Sequence, residues 1–154
     1  MIFLATQEDK IYAPILADIA QKAGAALWTK EQFKDEFYLT CAKIFLCAKK
    51  ENDDTKNIFG FICFRIYQDE AELTNFAILP TEQNKHFGTK LLTFALNNLT
   101  GQGVKKITLE VSTKNEKAKK LYTNFGFKKV AIRKNFYEGE VDADLMLFTA
   151  PNIS

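Results

Sequence analysis

Apolar positions along the chain change period several times, and each change marks an element. Ile2 to Ala5 reads as a short strand. Ile11, Ile15, Leu16 and Ile19 fall at helical spacing and predict a helix with one apolar face. Thr29 ahead of KEQFKDEFYL is an N-cap signal for a second helix. Ile44 to Ala48 predicts a strand, closed as a hairpin by the polar cluster ENDDTKN. FGFICFRIY and AELTNFAIL are β-rich runs separated by Gln68, Asp69 and Glu70, which predicts a second hairpin.

Beyond Pro80 the period lengthens. Leu91, Leu92, Ala95, Leu96 and Leu99 form one helical stripe, ended by Gly101 and Gly103. Lys106 to Val111 alternates, with Ile107, Leu109 and Val111 on one face and Thr108 and Glu110 on the other. Ala118, Leu121, Tyr122 and Phe125 return to helical spacing until Gly126. Either Asn115 caps that helix, or Thr113 and Glu116 form a capping box. Phe127 to Ile132 and Val141 to Phe148 are the last strands. The order β-α-α-β-β-β-α-β-α-β-β implies a mixed sheet covered by helices, a mixed α+β (α/β) class.

Composition narrows the class. At 154 residues, 47% hydrophobic and 26% charged, the chain fits a single folded domain over residues 1–154 and excludes a disordered one. No apolar run nears the ~20 residues of a membrane helix, and MIFLATQEDK lacks the basic start of a secretory signal. Cys41, Cys47 and Cys63 are odd in number and lack metal-ligand spacing, so free thiols in a cytoplasmic protein, with no metal, are expected.

The net charge of +2 hides an asymmetry. Residues 1–104 carry 11 basic and 13 acidic side chains, residues 105–134 carry ten and two, and residues 135–154 carry four acidic ones alone. A basic block of this kind is either a solvated surface or a field that concentrates an anionic ligand. It lacks the interleaved aromatics of a single-strand nucleic-acid groove.

Three segments in this order resemble the GCN5-related N-acetyltransferase (GNAT) superfamily: PTEQNKHFGTKLL, the strand TLEVS, and NEKAKKLYTNFGF with its LY-x-x-x-GF ending (Leu121, Tyr122, Gly126, Phe127). Within it, LWTKEQF, LEVS, Asn115 with Tyr122, and IRKNFY are similar to the bacterial ribosomal-protein-alanine N-acetyltransferases (RimI-like). The resemblance implies a mixed sheet of about seven strands flanked by about four helices. It also implies acetyl-CoA as donor, direct attack in a ternary complex, and an acceptor at a protein N-terminus, an alanine of a small-subunit ribosomal protein. No membrane and no direct nucleic-acid binding are expected.

That chemistry needs a bound coenzyme, a neutral amine, a stabilised oxyanion and a proton for the leaving thiolate. A helix N-terminus suits the pyrophosphate. The family's Q/R-x-x-G-x-G/A loop aligns with Gln83, Asn84, Lys85, His86, Phe87 and Gly88, followed by Thr89. His86, the one histidine, replaces the first glycine, a residue that permits positive φ and close approach. Glu110, at the carboxyl end of its strand, resembles the family's base, acting directly or through water; alone it would read as a surface glutamate. Tyr122 resembles the acid, since a phenol of pKa ~10 is protonated at neutral pH; its register equally suits a core tyrosine. Asn115 resembles a coenzyme contact and is also an N-cap candidate. Backbone amides around Phe76, Ala77 and Ile78 would hold the oxyanion. Trp28, Phe33, Arg133, Asn135 and Tyr137 match segments that line the peptide side, although Trp28 and Phe33 also fit a core.

Three rival readings follow from the same residues. The acceptor could be a lysine, polyamine or amino sugar. His86 could have reduced the chain to a coenzyme-binding regulatory module. The basic block could bind nucleic acid.

Overall fold

The computed structural model describes residues 1–50, 56–137 and 141–151, and for residues 135–137 the backbone alone. Seven strands form one mixed sheet in the order β1-β2-β3-β4-β5-β7-β6. They are β1 (Ile2–Leu4), β2 (Ala42–Lys50), β3 (Lys56–Tyr67), β4 (Glu70–Ile78), β5 (Lys106–Ser112), β6 (Lys128–Tyr137) and β7 (Val141–Thr149). The helices are α1 (Ala13–Ala23), α2 (Lys30–Glu36), α3 (Phe87–Gly101) and α4 (Glu116–Asn124). The number and order of elements match the expectation, and so does the mixed α+β class.

Strand alternation sorts the core into two layers. Ile44, Leu46 and Ala48 of β2 pack with Leu16, Ile19 and Phe33 of α1 and α2. Phe45 and Cys47, between them in sequence, pack with Leu91, Leu92 and Leu99 of α3. A sheet buried on both faces gives the near-continuous apolar runs seen in the sequence. The same alternation puts Phe76 and Ile78 on the α3–α4 side and Ala77 on the α1–α2 side.

One local expectation changes. Ile11 and Ile15 are exposed, and α1 buries Ala13, Leu16, Ile19 and Ala20 instead. Residues Gln7–Tyr12 form a 3-10 helix, and Pro14 opens α1 at its first turn. A 3-10 helix turns every ~3 residues, so a helical phase begun at Ile11 does not carry into α1. At α4 the cap is Asn115, whose Oδ1 accepts the Ala118 amide at 3.1 Å. Thr29 caps α2 as expected, in a reciprocal box with Gln32. The chain between Lys50 and Lys56 lies outside the described residues, but the pairing of those two residues makes β2 and β3 a hairpin.

The feature that matters for function lies between β4 and β5. They are the sheet's parallel pair and are paired only over Glu70–Glu72 with Lys106–Thr108. Just beyond, Leu73 and Asn75 face Phe64 and Cys63 of β3, leaving Thr74 as a bulged residue. Its hydroxyl donates to Cys63 O at 3.2 Å. A bulge bends and twists its strand, and past this one β4 and β5 part company. From Leu73 to Ile78, every second amide of β4 therefore faces an opening instead of a neighbouring strand.

Candidate active site

The opening joins two cavities, one on each side of the sheet. The first, of about 500 Å³, lies toward α3 and α4. The second, of about 1180 Å³, lies toward α1 and α2. Phe76, Asn115, Ala118 and Tyr122 border both.

The first cavity is built around the N-terminus of α3. Gln83 Nε2 donates to Ile78 O at 2.9 Å, which ties the preceding loop to the end of β4. Lys117 of α4 reaches across to donate to Asn84 Oδ1 at 3.0 Å. The first bond inside α3 runs from Lys90 N to His86 O. The amides of Phe87, Gly88 and Thr89 therefore belong to the unpaired first turn, at the positive end of the helix dipole. All three residues line the cavity. A Cβ on Gly88 would meet Phe76 Cζ at 3.7 Å and Leu121 Cδ2 at 4.0 Å. That is ordinary contact, so the missing side chain is not demanded by crowding. It leaves room beside the amides. Free amides, a dipole and that room are what a pyrophosphate needs, so these residues fit coenzyme A.

His86 takes up the backbone geometry that the glycine of the pattern would supply. Its φ is 66° and ψ 13°, in the left-handed region, and Asn84 shares that region at φ 62°. Asparagine adopts it readily, whereas an ordinary L-residue pays about 1–2 kcal/mol. The substitution thus preserves the loop's shape at a cost in strain. Lys85 forms an ion pair at 3.2 Å with Glu82, which itself lines the cavity. Lys49 joins Glu82 at 2.5 Å, and the two lysines hold that carboxyl below its usual range.

Glu110 borders the second cavity. Ile107, Leu109 and Val111 point into the α3–α4 core, so Glu110 faces the opposite side. Arg133 Nη1 donates to both of its carboxylate oxygens, at 3.1 and 3.2 Å. Arg133 reaches over β7, where the small Ala143 stands opposite it. Tyr122 is on α4, 7% exposed, with its ring 6.4 Å from Phe76 and 5.6 Å from Phe127. Glu110 and Tyr122 thus stand on opposite faces of the sheet, and the gap between β4 and β5 connects them.

Trp28 borders the second cavity, but Phe33 is fully buried between Trp28 and Phe61, with ring centroids 5.1 and 5.2 Å away. Phe33 is core and does not line the peptide side. The side chains of Asn135 and Tyr137 lie outside the described residues. Sequence reasoning missed the bidentate pair of Arg65 with Glu36 (both bonds 2.9 Å), which walls the second cavity. It also missed Asn75, 3% exposed on the same wall. An amide next to Thr74 inside the otherwise apolar run LTNFAIL was the signal for Asn75. The pair, 29 residues apart, left none.

The basic block is more dispersed than its sequence suggests. Lys119 and Lys129 flank Asp144 at 3.6 and 3.4 Å, and Lys134 meets Asp142 at 3.1 Å. Lys117 is the member that borders the first cavity among the described residues. The second cavity carries Asp35, Glu36, Glu72 and Glu110 against Arg65. Burial pushes the Cys47 thiol up to about 11, and Cys63 well above its usual value. Neither is a ready nucleophile. Among the described residues, no helix is long and apolar enough to cross a membrane.

Comparison with known proteins agrees with this geometry. Residues 13–127 match the model of the acetyltransferase (GNAT) family. The chain is 35% identical over 122 residues to the ribosomal protein bS18-alanine N-acetyltransferase of Haemophilus ducreyi, covering 79% of this chain and 80% of that one. It is 37% identical over 125 residues to the Haemophilus influenzae protein of that name, 79% of each being covered. The crystal structure of the ribosomal-protein-S18-alanine N-acetyltransferase from Escherichia coli superposes with a TM-score of 0.86 at 27% identity, over 100% of this chain and 97% of that one. Arabidopsis thaliana NAA60 in complex with acetyl-CoA shares the fold, with a TM-score of 0.79 at 15% identity over 97% and 98% of the chains. The chain is an N-acetyltransferase and belongs to the GNAT family.

Proposed function

We propose that the whole chain acts as one domain that acetylates the N-terminal α-amine of a protein, an alanine of a small-subunit ribosomal protein, from acetyl-CoA. The observation that carries this reading is the pair of cavities meeting at the β4–β5 gap, with Glu110 bordering the second and Tyr122 bordering both. The relatives named for bS18-alanine acetylation supply the acceptor.

In this reading Phe87, Gly88 and Thr89 amides hold the pyrophosphate, with Gln83, Asn84, His86 and Asn115 around it. Acetyl-CoA, when bound, supplies the thioester acyl group. The acceptor enters by the second cavity, whose carboxylates attract an ammonium. Glu110, its carboxylate oriented by Arg133 on both oxygens, takes a proton from the amine. Of Phe76, Ala77 and Ile78, alternation turns the amides of Phe76 and Ile78 toward the opening, and these stabilise the charge that develops on oxygen. Tyr122 donates its hydroxyl proton to the departing sulfur from the α3–α4 side. With Cys47 and Cys63 buried and protonated, attack is direct, without an acyl-enzyme.

The test is acetylation of alanine-starting peptides with the product located by mass spectrometry. Modification of the α-amine, lowered at least a hundredfold by Glu110→Gln, is the expected result. Acetylation of lysine side chains or polyamines alone overturns the acceptor assignment.

A further inference from the structure

Asn75 stands on β4 just past the Thr74 bulge, where β5 has already left the sheet. It shares the α1–α2 face with Ala77, the face that also carries Glu110. Its Nδ2 donates to Ala26 O at 3.1 Å, in the connection between α1 and α2. That bond orients the amide and turns Oδ1 away from the Ala26 carbonyl. Oδ1 is buried and has no hydrogen-bond partner among the described residues. Asn75 and Ala26 both border the second cavity. Buried polar atoms are nearly always partnered, so this one marks a place for a donor that arrives from outside.

We propose that Asn75 Oδ1 accepts the N–H of the acceptor's first peptide bond, and thereby selects polypeptide α-amines over side-chain and free amines. The inference rests on the second cavity being the acceptor's. An α-nitrogen that reaches the gap places its first amide two carbons back, on the α1–α2 side of β4. A lysine ε-amine or a polyamine has methylenes at that distance and leaves Oδ1 unpartnered. Discrimination then comes from the cost of a buried acceptor left without a donor, which rejects an analogue lacking the N–H more strongly than a shape difference does. An amide suits the task better than a carboxylate, because it offers a lone pair without attracting a competing ammonium.

The experiment compares an alanine-starting peptide with its analogue in which the first peptide bond is an ester. The ester keeps the shape and removes the N–H. Measured at about pH 9, where both α-amines are neutral, the wild type is expected to lose about three- to tenfold in kcat/KM on the ester. Asn75→Ala is expected to abolish that penalty and to narrow the preference for the α-amine over a lysine in the same peptide. If Asn75 only anchors Ala26, the variant lowers both substrates equally and the ester penalty survives, which overturns the proposal. Absence of a penalty in the wild type overturns it as well, whether or not the variant folds. If the wild type acetylates no peptide α-amine, the acceptor reading itself fails and the role of Asn75 falls with it.

Discussion

Replacing Tyr122 by Phe separates a catalytic tyrosine from a packing one. The ring is 7% exposed and makes its aromatic contacts to Phe76 and Phe127 through carbon atoms. Phenylalanine keeps those contacts and loses a single hydroxyl. The stability cost is that of one hydrogen-bonding group, about 1 kcal/mol, or a melting shift of about 2–4 °C for a chain of this size. The rate cost is of another order. Loss of a positioned general acid removes about 10²- to 10⁴-fold, which is about 2.7–5.5 kcal/mol of barrier. The assay is thiol release at saturating acetyl-CoA with an alanine-starting peptide, paired with thermal unfolding of the same preparation. The expected result is kcat down at least a hundredfold, KM for the peptide little changed, and a melting temperature within a few degrees of wild type. A variant that retains a third or more of the wild-type kcat refutes the acid role and leaves Tyr122 as core.

Replacing His86 by Gly trades a left-handed strain of about 1–2 kcal/mol against about 0.5–1 kcal/mol of added backbone entropy. The melting temperature should rise slightly, whereas His86→Val, β-branched at φ 66°, should lower it. Between pH 9 and 11 the unfolded chain releases the Cys47 proton while the folded one, with that thiol raised from 9.0 to about 11, keeps it. Stability therefore falls as pH rises through this window, by up to about 1.4 kcal/mol per pH unit, and Cys47→Ala should flatten the decline in denaturant titrations. Glu36→Ala leaves Arg65 without its bidentate partner. Because Arg65 is 39% exposed, the loss should fall below the ~3–5 kcal/mol of a fully buried pair, read as a lower urea midpoint together with a higher KM for the acceptor.

The sequence carried the element order because two-sided burial writes itself as apolar runs and helical stripes. Thr29 and the α3 stripe of Leu91 to Leu99 could be read directly, since a cap and a stripe are local signals. Ile11 could not, because the change from 3-10 to α geometry between Tyr12 and Ala13 shifts the phase without altering the apolar count. The gap between β4 and β5 was invisible for a different reason. It depends on where pairing stops, and nothing within β4 or β5 states that Glu72 and Thr108 are the last partners. The site residues came mostly from resemblance, as alternation could tell which face Glu110 takes but not what waits there. That Arg133 grips it follows from β7 lying between their strands, an order the sequence does not display.

The basic block has a structural use that bears on the chemistry. Asp144 is 3% exposed on β7 and stands opposite Val111, next to Glu110 on β5. Lys119 approaches it from α4, and Lys129 from β6. Lys119 also donates to Thr113 O at 2.9 Å, in the turn that leads from β5 into α4. One buried carboxylate therefore links the strand beside Glu110 to the helix that carries Asn115 and Tyr122. Since Glu110 and Tyr122 sit on opposite faces of the sheet, their separation depends on how α4 seats against β5 and β7. Pairing between β4 and β5 stops at Glu72 and Thr108, so it does not reach that seat. A charged anchor on the far side of the gap can fix it, because β5 and β7 remain paired over all seven residues from Lys106 to Ser112. The opening thus needs a rigid half, and Lys119 and Lys129 serve that half, whereas Lys117 borders the cavity on the α3–α4 side.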